Sequence, residues 1–307
     1  PGGRCAAPAT EGAPHELSAV AGDIDVQGVR YAPHLAGDPY LDADLFRSRS
    51  YFFNGAFASG VYGLAYKKLH DRDLKLIGTN VGANTLHLRP WAIDFPAKQL
   101  NTFYKIMSNS GICNVIPTFS LQRFYNDMIR DDVTKPYSDG SSPLAEAFMR
   151  FEAVIQPRDS AGINMVAWTA DMSLDLHELL PLVADSCETS TGVMDNDSFR
   201  RYIALMQIVQ QWAVSGLLTS APLLVPLDLS RMPWNGLDAH TKLQMFLHCM
   251  ATNPAQGGWS SIFDNPPNGT GGRGAGNPAR WLFFFGVPAG DRGVSLFRGQ
   301  LEAVANA

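Results

Sequence analysis

The segment Arg72–Trp91, RDLKLIGTNVGANTLHLRPW, constrains the fold more than any other part of the chain. An apolar helical run (Leu74, Leu76, Ile77) closes on a glycine-punctuated turn, and a buried-type strand, Asn84–Arg89, follows and stops at Pro90. A helix feeding a short strand that ends at polar or aromatic residues is the repeating unit of a (β/α) barrel. The same grammar recurs downstream. An amphipathic helix over Leu100–Ser110 ends at Gly111, a residue suited to the left-handed C-cap, before a strand at Cys113–Thr118. Pro143–Ile155 places Leu144, Phe148, Phe151 and Ile155 on one helical face ahead of a strand at Asn164–Thr169.

Further helices are expected at Leu69–Ile77, His177–Val183, Phe199–Val214, Thr241–Met250 and Ser295–Ala305. Further strands are expected at Val26–Tyr31, Leu223–Pro226, Trp259–Phe263 and Trp281–Phe285. Strands alternating with helices call for a parallel sheet covered on both faces. The expected fold is therefore α/β, a (β/α)8 TIM-barrel-like domain over residues 23–307; no eighth strand is read after Ala305, which leaves open a truncated chain, an open barrel or a strand supplied by sequence beyond this one. Residues 1–22, rich in Pro, Gly and Ala, read as a flexible N-terminal arm.

Composition narrows the function. Hydrophobic residues make up 46% of the 307-residue chain and charged residues only 17%, which suits a chain with ample core that lives among partner subunits. A net charge of −5 without a sizeable Lys/Arg cluster argues against a sequence-specific nucleic-acid groove. No apolar stretch is long enough to span a membrane. Cys5, Cys113, Cys187 and Cys249 form an even set without a CxxC motif, so disulfides are favoured over zinc, and three pairings stay open. Two sequons, at Asn196 and Asn268, join the cysteines in pointing to a secreted glycoprotein at the cell surface or outside the cell.

Several motifs lend the chain a family likeness. Gly28-Val29-Arg30-Tyr31-Ala32-Pro33 and Asp38-Pro39-Tyr40-Leu41-Asp42 fit a G-V-x-Y-x-P strand followed by a D-P-L-x-D turn. Arg72-Asp73-Leu74, Gly82-Ala83-Asn84-Thr85-Leu86-His87-Leu88 and Gly111-Ile112-Cys113-Asn114-Val115-Ile116 fit an R-D-I helix, a G-x-N-T-I-R-V strand and a G-I-Y-V-I strand. In this order they resemble the catalytic domain of the fungal β-1,3-glucanosyltransferases, glycoside hydrolase family 72. The resemblance implies a barrel and β-glucan as the carbohydrate class.

It also implies two glutamates, since a retaining glycosidase works with two carboxyls about 5 Å apart. The family's acid/base belongs to an Asn-Glu pair ending the fourth strand. The matching stretch here, Trp168-Thr169-Ala170-Asp171, has no Asn-Glu and offers only Asp171, one methylene shorter or one place out of register. The family's nucleophile lies in an S-E-Y-G pattern ending the seventh strand. Phe283-Phe284-Phe285-Gly286 stands there, with Phe284 at the glutamate's place and Asp291 the nearest acid beyond it. Loss of a nucleophilic carboxylate removes the covalent step itself.

The expected function is therefore a non-catalytic, glycosidase-like pseudoenzyme serving as a structural subunit of an extracellular filament or wall layer. Self-association and a carbohydrate-binding cleft are expected, with no cofactor and no metal. Trp91, Asp94, Trp168 and Trp259 are the candidate glycan contacts, because sugar rings stack on aromatic faces near strand ends. Core packing competes for the tryptophans. A histidine hydrogen-bonded inside the core is the expectation for His87, and a capped helix start for Asp171–Glu178, DMSLDLHE. Two other classes remain: a shell-forming viral coat protein located in the virion, and an active β-glucan enzyme using Asp171 with Asp94 or Asp291.

Overall fold

The computed structural model describes residues 5, 28–31, 67–88, 97–119, 121, 143–172, 174–175, 199, 202, 205–206, 208–209, 221–229, 241–247 and 280–284. The chain divides into two compact units. The first comprises residues 1–123, 136–171 and 216–222, and the second residues 124–135, 172–215 and 223–307.

In the first unit, strand β1 (Gly28–Tyr31) is followed by helix α1 (Lys67–Lys75), strand β2 (Thr85–Leu88), helix α2 (Ala97–Asn109) and strand β3 (Asn114–Phe119). Helix α3 (Pro143–Ile155) then leads to the short strands β4 (Asn164–Met165) and β5 (Trp168–Ala170). β1 pairs with β2, β2 with β3, and β3 with both β4 and β5, every pair parallel. The second unit contains β6 (Leu174–Asp175), β7 (Leu223–Asp228) and β8 (Arg280–Phe284). β7 pairs in parallel with β6 and with β8. The chain is thus a parallel α/β protein, as the alternation of periods predicts.

Alternation along β2 and β3 sorts side chains onto two faces. Leu86, Leu88 and Val115 turn to the helices, where Leu74 of α1 and Leu100, Phe103 and Met107 of α2 complete a buried cluster. Further along the same face, Phe119 and Trp168 pack against Phe148 and Phe151 of α3, with ring centroids 5.3–6.3 Å apart. Each fully buried Leu or Phe in these clusters contributes about 1.5–3 kcal/mol relative to exposure. β7 differs, because Leu223 to Leu227 are buried on both faces, as expected of a strand inside a parallel sheet.

Glycines set the connections. After α1 the chain widens into a π-helical segment, Leu76–Val81, and leaves it at Gly82, whose φ of 76° is left-handed and whose N–H donates to the Ile77 carbonyl. Gly78 allows that wide turn to lie against the backbone after α2: a Cβ there would sit 2.0 Å from the Ser110 carbonyl oxygen. The expected continuous strand at Asn164–Thr169 is divided into β4 and β5. The Val166 N–H still bonds the Val115 carbonyl, whereas the Trp168 N–H turns to Pro222.

A covalent tie completes this unit. Cys5 is disulfide-bonded to Cys113, which selects one of the pairings left open by the sequence. Cys113 is itself stitched into the sheet entrance, donating to the Asn84 carbonyl and accepting from the Asn164 N–H. Cys187, Cys249 and the expected elements at His177–Val183, Trp259–Phe263 and Ser295–Ala305 lie outside the described residues.

Candidate functional site

The face of β1–β5 turned away from the helices is polar. Register places Gly28, Thr85, Asn114 and Asn164 in one row across the strands, and Arg30, His87 and Ile116 in the next. Thr118 and Thr169 pair one step further on. Apart from Ile116 and Gly28 these positions carry hydroxyls, amides, a guanidinium and an imidazole, and several of these groups bond one another.

The Thr85 hydroxyl donates to Asn84 Oδ1 at 2.7 Å and accepts from Asn114 Nδ2 at 3.4 Å. His87 Nε2 lies 3.0 Å from Thr118 Oγ1. Thr85, Asn114, Thr118 and Thr169 are buried, while His87 and Ile116 are partly open and Arg30 is exposed. His87 thus has the hydrogen-bonded setting expected from the sequence, but on a polar sheet face and with part of its ring in reach of solvent. The signal for this face was present in the alternation of Thr85 and His87 with Leu86 and Leu88, and of Asn114 and Thr118 with Val115 and Phe119.

Asp171 follows directly on β5. Its N–H donates to the Phe119 carbonyl at 2.9 Å, and its Oδ1 accepts the Leu121 N–H at 2.6 Å. That carboxylate oxygen therefore holds the chain leaving β3 against the end of β5. The capped helix start expected across Asp171–Glu178 is not what forms at its beginning. Leu174 and Asp175 are strand β6, paired with Leu227 and Asp228, because a parallel ladder to β7 satisfies their backbone groups instead of a helical turn.

Asp228 lies two residues beyond Pro226, where the sequence places the end of this strand. The ladder continues through Pro226, so Asp175, Asp228 and Phe284 fall on one register row at the carboxyl ends of β6, β7 and β8.

Trp168 is 1% exposed, with Phe148 and Phe151 against its ring, so its surface is occupied by core packing. Phe284 is the last residue of β8. Trp91, Asp94, Trp259, Asn196, Asn268 and Asp291 lie outside the described residues. No group of three or more His, Cys, Asp or Glu suited to hold a metal ion occurs among the described residues. Among them, too, no helix is long and apolar enough to cross a membrane.

Two tyrosine hydroxyls are buried in the cores. Burial raises the Tyr104 pKa well above the ordinary value, with Arg158 opposing and Asp159 adding to the shift. Burial alone raises that of Tyr202. Their hydroxyls donate to the carbonyls of Val154 and Met172, at 3.4 and 3.3 Å respectively.

No family model, curated protein or solved structure matches this chain.

Proposed function

We propose that the chain is a glycosidase-like (β/α)-barrel protein without hydrolytic chemistry, acting as a structural subunit of an extracellular assembly and binding carbohydrate as a secondary role. One observation carries the reading. Where the resembled family needs its two glutamates, this chain has Asp171, with an oxygen engaged by the Leu121 N–H, and a strand that ends at Phe284. A phenylalanine cannot form the covalent glycosyl intermediate.

Further support comes from the motifs that carry the resemblance. Tyr31 of the G-V-R-Y strand and Asp73 of the R-D-L helix meet, hydroxyl to carboxylate, at 3.5 Å. A disulfide between Cys5 and Cys113 suits an oxidising compartment and hence a secreted chain.

The test is to isolate the chain from its native source, measure the mass and shape of its complex, and map glycans at Asn196 and Asn268. A large open assembly carrying sugar at Asn268 is expected. An intracellular, unglycosylated monomer would overturn the reading, and closed particles would replace it with the coat-protein reading.

A second reading, an active β-glucan enzyme, is favoured by one feature. Asp175 and Asp228 are register partners at the carboxyl ends of the neighbouring parallel strands β6 and β7, the end of a parallel α/β sheet at which barrel enzymes carry their catalytic acids. Turnover on β-glucan that disappears in Asp228→Asn would establish it.

A further inference from the structure

We draw no further inference here: the strongest candidate, the exposed apolar patch of Leu76 and Val81 on the π-helical segment between α1 and β2, carries none because nothing in the structure shows what covers it.

Discussion

Removing the Cys5–Cys113 bond should cost the chain a large share of its stability. The bond spans a sequence separation of 108 residues. Cross-linking a loop of that size lowers the entropy of the unfolded chain by an amount equivalent to about 4.8 kcal/mol at 25 °C in the loop-closure model. The native side of the balance changes little, because both cysteines are half-buried rather than sealed in the core. Cys113 is also held independently by its backbone bonds to Asn84 and Asn164.

A domain of ordinary stability has about 5–15 kcal/mol in hand, so the loss is a third or more of the total. The double variant Cys5→Ser/Cys113→Ser should therefore unfold at a urea concentration lower by roughly 1.5 M, for a slope of about 3 kcal/mol/M. The slope itself should rise as the unfolded chain expands. Urea titration followed by far-UV circular dichroism, under oxidising conditions for both proteins, measures the two quantities. A change in stability below about 1 kcal/mol would refute the reasoning, since it would mean that the linkage does not restrict the unfolded ensemble.

Other perturbations test the packing and the titrating groups. Trp168→Ala should destabilise by about 3–5 kcal/mol, measured by urea unfolding, because it empties a site packed by Phe148 and Phe151. Gly78→Ala forces a Cβ to within 2.0 Å of the Ser110 carbonyl oxygen, so the backbone must shift. A loss of about 1–3 kcal/mol in the same assay is expected. Tyr104 and Tyr202 have folded-state pKa values raised above the ordinary 10.0 by burial. The stability linked to their neutral form is complete below pH 10 and is lost as pH rises from there towards the raised values. An alkaline titration at 295 nm should therefore show these hydroxyls ionising together with unfolding, and their ionisation in the native protein would contradict the assignment.

Much of the first unit was legible because its periods are clean. Pro143–Ile155 forms the helix that its apolar spacing predicts. The strands at β2 and β3 depart from expectation by a residue or two at their ends. Gly111 has the left-handed φ, 81°, expected of a helix C-cap.

What escaped the sequence depends on partners distant in the chain. Strand β6 is too short to show a period of its own and exists through its ladder with β7. Acids and a serine at Asp171–Asp175 read locally as a helix start, and strand pairing overrides that local preference. Pro226 masked the continuation of β7 to Asp228, since proline ordinarily argues against a central strand. The disulfide joins segments that no spacing rule connects. The polar sheet face was written in the alternation of β2 and β3. Its character emerged only when register placed Thr85 beside Asn114 and His87 near Thr118.

The most direct test of the central claim is product analysis by mass spectrometry after incubating the purified chain with β-1,3-glucan oligosaccharides. The account predicts intact oligosaccharides, with neither hydrolysis nor transfer products, because the proposed kinship aligns Phe284, the last residue of β8, with the family's nucleophile, and an oxygen of Asp171 is engaged by the Leu121 N–H. Shortened or elongated products that vanish in Asp171→Asn or Asp228→Asn would contradict it and identify an enzyme.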